Sequence, residues 1–183
     1  MYRFGRYHPD ELLSVPYRQF LLGQNSDTGR AATVTPALII RSCLIDWGLV
    51  SYPNRNPVRE YICYALSRPD APDKIVSVHD TVGVLRGREA RTGRNQTYPG
   101  VMIVIRSDHE SRGFLFANRI AKALDERAYP VTTQVPENGT TYAIANIHRA
   151  GTILSLGEEV GKRRFLWTLD LLISFEYQEP VLG

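Results

Sequence analysis

The run from Phe165 to Tyr177 alternates apolar and polar side chains over thirteen residues. Phe165, Trp167, Leu169, Leu171, Ile173, Phe175 and Tyr177 share one parity, and Thr168, Asp170, Ser174 and Glu176 share the other. A period of two marks a β-strand, because successive Cβ atoms point to opposite faces. At roughly 3.3 Å per residue it spans about 40 Å, well beyond the usual strand of about 5 to 6 residues. One apolar face for a core and one polar face for water imply an antiparallel sheet. The parallel sheets of nucleotide-binding folds are covered on both faces and read instead as continuous apolar runs.

The chain has 183 residues, 43% of them hydrophobic, enough for one domain with a real core. No run of about 18 apolar residues occurs, and Met1–Arg6 leads into charged sequence rather than an apolar signal core. The expectation is a chain that neither spans a membrane nor carries a secretory leader. Cys43 and Cys63 lie in apolar surroundings on separate elements, which predicts buried free thiols rather than a disulfide. Asn95-Gln96-Thr97 and Asn138-Gly139-Thr140 match the glycosylation pattern by chance on this reading. A net charge of +3 does not demand a nucleic-acid or membrane partner, although it is carried by 19 arginines against 3 lysines. Genomic base composition accounts for such a bias, and so does the suitability of the planar guanidinium for protein interfaces.

Residues 1–33 read as an N-terminal extension, with a short helical start at Pro9–Leu13 interrupted by Pro16, and loop chemistry from Gly23 to Gly29. Residues 34–183 read as a single domain. Thr35 and Pro36 open an amphipathic helix through Ile40, Cys43, Leu44 and Trp47, closed by Gly48. Tyr61–Leu66 is a short strand, Arg68–Asp73 a rigid polar turn, and Ile75–Asp80 a β-branched strand. From Gly83 to Gly100 the composition is glycine and arginine, which reads as a long basic loop or a projecting hairpin. Val101–Arg106 is a strand buried on both faces, and Ser111–Ala128 carries the clearest helical stripe of the chain. Val131–Val135 and Tyr142–His148 flank Asn138-Gly139 as a hairpin, and Ile153–Gly157 leads through a charged turn into the terminal strand. The predicted class is α+β: a mainly antiparallel sheet with helices packed on one face and a long C-terminal strand.

Catalytic patterns are scarce. Asp108-His109-Glu110 sets three potential ligands side by side, but adjacent side chains diverge, so Asp108 reads as a helix N-cap and Glu110 as a first-turn acid. His79 and Asp80 are strand neighbours and point to opposite faces. His8 and His148 have no matching partners, Cys63 has no histidine near it, and no phosphate-loop, dinucleotide or nucleophile-elbow pattern is present. The reading therefore assigns no catalytic, cofactor-binding or metal-binding residue, and expects no enzyme. Candidate partner contacts are Arg86, Arg88, Arg91 and Arg94 of the basic loop, which suit acidic protein surface, phosphates or plain solvent. Leu166 and Leu172 are further candidates. They interrupt the polar face of the terminal strand and, on a long edge strand, would invite pairing or subunit packing unless a helix covers them.

Several phrases, in order, resemble the tail terminator proteins of long-tailed bacteriophages, often labelled minor capsid or tail completion proteins. They are Pro69-Asp70-Ala71-Pro72-Asp73, then Asp80-Thr81-Val82-Gly83, then Pro99-Gly100-Val101 running to Arg106. A helix, Tyr142-Ala143-Ile144, and Leu156-Gly157 through Arg164 into the closing strand complete the series, covering roughly residues 36 to 177. The resemblance implies a virion structural protein, assembled in the host cytoplasm, that closes as a homo-oligomeric, hexameric ring. Such a ring caps the tail tube, stops its polymerisation and offers a joining surface to the head or neck. The implied partners are tail tube protein, a neck or head-completion protein and the tail sheath, with DNA passing through the lumen without specific binding, and no membrane. The alternatives are a head–tail connector or stopper, or a nucleic-acid-binding module using the basic loop. The N-terminal 33 residues and the arginine-rich loop depart from the family's pattern.

Overall fold

The computed structural model describes residues 34–53, 59–88 and 95–175. Two helices and seven strands follow in the order α1 (Pro36–Asp46), β1 (Ile62–Ala65), β2 (Ile75–Arg88), β3 (Asn95–Ser107), α2 (Glu110–Asp125), β4 (Val131–Val135), β5 (Thr140–Arg149), β6 (Leu154–Glu158) and β7 (Phe165–Phe175). All seven strands form one sheet in the order β1-β2-β3-β7-β5-β4, with β6 also paired to β7. Every pairing is antiparallel except β1 with β2. The class is α+β as expected, with both helices on one side of the curled sheet.

The expected terminal strand is present as β7, with Glu176 and Tyr177 lying outside the described residues. It is not an edge. β3 pairs with it from Phe165 to Leu172, while β6 and then β5 pair along its other side. Trp167, Leu169, Leu171 and Ile173 join Val101, Ile103 and Ile105 of β3 and Val76 and Val78 of β2 in one apolar layer. Ala117, Ile120, Ala121 and Leu124 of α2 press on that layer together with Ile39, Ile40, Cys43 and Leu44 of α1. The close seating of α2 depends on Gly113, since a Cβ there would lie 2.6 Å from Trp167 Nε1 and 3.0 Å from Ser107 Cβ. Phe114 tilts against the same indole, at 5.2 Å between ring centroids, and Phe116 stacks on Tyr61 at 3.8 Å.

The second face of β7 is not the wet face that its sequence parity implies. Leu166 is 9% exposed and Thr168 4%, and only Asp170 of the strand is open to solvent. The reason is topological. Because β1 and β2 are parallel, the chain must return along the sheet between them. The helices occupy the first face, so residues 66–74 cross the second. Arg106, opposite Leu166 in the β3–β7 register and 1% exposed, holds this crossing segment. Its Nη2 donates to the carbonyl oxygens of Pro69 (2.8 Å), Asp70 (3.0 Å) and Pro72 (2.6 Å). From the β6–β7 turn, Lys162 pairs with the Asp70 carboxylate, and Arg164 reaches Asp70 at 2.9 Å and Asp73 at 2.6 Å. These hydrogen bonds, from Lys162 first, hold the Asp70 carboxyl below the usual carboxylate range.

The start of α1 falls where expected, at Thr35 and Pro36, and that of α2 one residue later than expected. Thr35 occupies the N-cap of α1, but its hydroxyl makes no capping bond; Asp80 Oδ1 of β2 instead accepts from the Ala37 N–H at 2.8 Å. A charge from the sheet thereby supplies what a local cap usually does. The helix is not amphipathic: eight of its residues, Arg41 and Ser42 among them, are buried. Arg41 lies over the Tyr52 ring and pairs with Glu137, tying α1 to the β4–β5 turn. At α2 the N-cap is His109 rather than Asp108. Ser107 Oγ accepts from the His109 N–H at 3.3 Å, while the Asp108 carboxylate faces Lys74 at 3.6 Å. Glu110 does sit in the first turn.

Two substitutions test these supports. Gly113→Ala gains about 1 kcal/mol of helix propensity yet should destabilise by roughly 1–3 kcal/mol, because the added methyl overpacks Trp167; a chemical denaturation midpoint reads the sign. Arg106→Met keeps the bulk and strands three carbonyls, each costing about 1–3 kcal/mol when left unpaired. It should lower stability more than Gly113→Ala does, and equal midpoints for Arg106→Met and the wild type would show that the crossing segment holds without the guanidinium.

Candidate assembly surfaces

The expected basic loop is mostly strand. β2 continues to Arg88 and β3 begins at Asn95, so the segment forms a hairpin arm, the second of the two readings left open by its composition. The sheet proper stops where β7 and β3 part, at Leu172 opposite Gly100. Beyond that point β2 and β3 pair only with each other among the described residues, through Val84–Tyr98, Leu85–Thr97, Arg86–Gln96 and Arg88–Asn95. A register shift between Thr81 and Val84 marks the base of the arm. Gly83 and Gly100 face each other's strands there. A Cβ on Gly83 would lie 2.4 Å from Tyr98 O, and one on Gly100 would lie 2.5 Å from Val82 O. Such backbone approach admits only glycine, and a bulge of this kind bends and twists the ribbon.

The arm carries apolar side chains into solvent: Val82 is 94% exposed, Leu85 71% and Val84 39%. Arg86 and Arg88 lie on the strand that bears them, whereas Arg91 and Arg94 are outside the described residues. A second open region is β6, whose five residues are all exposed, with Leu154 at 58% and Leu156 at 51%. Val160, in the turn that follows, is 97% exposed. β6 pairs with β7 on one side only, and β4 pairs with β5 no further than Ile144, so the edge from residue 145 to 158 has no strand partner among the described residues. Exposed strand edges with apolar side chains are sites at which another chain can add.

The two leucines proposed from sequence fare differently. Leu166 is buried against its own chain beside Arg106, the covered one of the two readings left open, with the crossing segment rather than a helix as the cover. Leu172 remains half-buried between Gly100 of β3 and His148 of β5. The arm and β6 were missed as a pair because their openness depends on which strands lie beside them, and no local pattern records that.

Chemical groups are dispersed. Asp80 faces α1 and His79 the other side, as strand neighbours must. Partial burial lowers the His79 pKa. His148 meets the Asn146 amide at 2.9 Å. Among the described residues, no three His, Cys, Asp or Glu side chains come together in a way that could hold a metal ion. A 560 Å³ cleft opens beside the C-terminal end of α2, where Arg149 forks onto Asp125 with contacts of 2.7 and 2.8 Å, so its two principal charges already satisfy each other. Cys43 and Cys63 are free, as expected, and burial pushes both thiols up to about 12. No helix among the described residues is long and apolar enough to cross a membrane.

No protein-family model matches the chain, and no curated protein sequence matches it.

The thiolate is the reactive form of cysteine, so both thiols should resist a disulfide reagent at pH 8 in the folded protein. In denaturant both should react at once; rapid labelling of either under native conditions would show that its element opens.

Proposed function

We propose that this chain is a structural virion protein, a tail terminator that closes as a ring on the end of the tail tube. There it stops tube polymerisation and presents a joining surface to the head or neck. The observation that carries the reading is the projecting arm, which holds Val82 and Leu85 in solvent on a glycine-crossed base. An isolated globular protein gains nothing from such a limb; an assembly subunit uses it for contact. The ordered phrases that resemble the terminator family also fall at structural joints. Pro69–Asp73 is the segment held by Arg106, Asp80 caps α1, and Pro99-Gly100 forms the base of the arm. On this reading the partners are further copies of the chain, tail tube protein and a neck protein. A head–tail connector is the nearest alternative, separated from a terminator by which of the last two it binds.

Size-exclusion chromatography with light scattering, followed by pull-down with purified tube and neck proteins, tests this. A closed oligomer that retains tube protein is expected; a strict monomer that ignores tube protein would sink the reading. Ile173 is fully buried, so Ile173→Asp should abolish folding, since an unpaired buried carboxylate is very costly. Leu172→Asp, at the half-buried position beside it, should impair assembly more than folding, and equal loss of folded protein from both would show that Leu172 is core.

A further inference from the structure

We propose that the cleft between β5 and the C-terminal end of α2 takes an extended, acidic segment of a partner protein, which adds to β5 as a further strand. The inference stands apart from the ring reading, and a chain that proved to be a monomer would leave it intact. It starts from the backbone of β5. The Ala150 N–H donates to the Asp170 carbonyl oxygen at 2.7 Å, and the Asn146 carbonyl oxygen, on the same side, accepts from Ser174 Oγ at 3.4 Å. In an antiparallel ladder successive residues turn their N–H and C=O groups to opposite sides. Asn146, His148 and Ala150 therefore direct theirs at β7, and Ile147 and Arg149 direct theirs away from it.

Among the described residues nothing meets these outward groups. β4 leaves β5 at Val131, opposite Ile144, and the same register carried three residues further would set Ala128 opposite Ile147. The connection from α2, which is capped at Glu126, does not pair there. Beside β5 lies instead the 560 Å³ cleft, with Leu124, Tyr129 and Ile147 as its apolar lining. Tyr129 is fixed in that wall by donating its hydroxyl proton to the Leu124 carbonyl oxygen at 3.2 Å. Ile147 is only 5% exposed, and buried backbone groups are nearly always paired. At roughly 3.4 Å per residue, alternate residues of an extended chain lie about 7 Å apart and present N–H and C=O in the same sense, which is the complement of Ile147 and Arg149. A small organic acid has no such repeat.

Charge selects among peptides. Asp125 and Arg149 neutralise each other at the cleft, whereas Arg127 rests over the Trp47 ring, 4.6 Å from its centroid, and pairs with no carboxylate among the described residues. The C-terminal end of α2 contributes about half a negative charge and offsets Arg127 only in part. The occupant therefore brings a carboxylate. Backbone pairing supplies affinity and the guanidinium chooses the acidic segment, the division of labour found in strand addition generally.

The test selects a synthetic library of random octapeptides, acetylated and amidated so that no terminal charge contributes, on the immobilised full-length chain. Recovered peptides should carry Asp or Glu. Arg127→Glu, at an exposed position, should weaken them at least tenfold and favour their Lys counterparts, with an unchanged thermal melt. Methylating the amides of a recovered peptide one at a time should weaken binding at alternate positions of the paired stretch, since only every second N–H of an added strand meets β5. Thr152→Trp, on the exposed rim, fills the cleft and should abolish binding, which keeps the proposal testable if the Arg127 variant fails to fold. No recovered binder, binders indifferent to these variants, or a methylation series without alternation overturns the proposal. The peptide Glu-Tyr-Gln-Glu-Pro-Val-Leu-Gly, the sequence of residues 176–183, is run beside the library. If it binds the cleft more tightly than every library peptide, the occupant is this chain rather than a partner protein, and the proposal falls.

Discussion

Strand β7 is paired along both sides, and the other elements take their positions from it. Its first face carries Trp167, Leu169, Leu171 and Ile173 into the layer on which α1 and α2 rest. Its second face, where Leu166 and Thr168 are buried, needs a separate cover. That cover is the segment returning from β1 to β2, held by the buried guanidinium of Arg106. An arginine in so dry a place is tolerated because three carbonyl oxygens receive it. Sheet, crossing segment and the β6–β7 turn are thus joined through a single side chain and the carboxylates of Asp70 and Asp73.

With the centre of the sheet so fully enclosed, the surfaces left for contact are at its margins. The arm leaves the sheet where Gly83 and Gly100 cross, with the two backbones too close for a side chain between them. β6 lies at the other margin with all five residues exposed. Rigid strands make better contact elements than loops, because little conformational freedom is lost when they bind. The proposed terminator role draws on this division between a closed interior and two open margins.

Local chemistry made some elements legible. The β4–β5 hairpin follows from Asn138-Gly139, where Gly139 adopts φ +68°, and α2 follows from the spacing of Ala117, Ile120, Ala121 and Leu124. The arm was harder because its glycines and arginines resemble a loop, and a ribbon open on both sides carries no alternating pattern. The capping of α1 by Asp80 joins residues forty-three positions apart, and the local candidate, Thr35, makes no capping bond. The burial of Leu166 is not legible locally, because parity distinguishes the two faces of a strand without revealing whether a second layer covers the other one.

By itself the sequence determined the α+β class, the antiparallel sheet, the long closing strand and the buried free cysteines. Each of these follows from the periodicity or polarity of neighbouring residues, which the backbone converts directly into faces. Only the tertiary structure decided that β7 is central, that Arg106 secures a cover over its second face, and that the arm and β6 are the open margins. Those properties belong to pairs of segments far apart in the chain, and strand order is set by the summed burial and hydrogen bonding of all of them together.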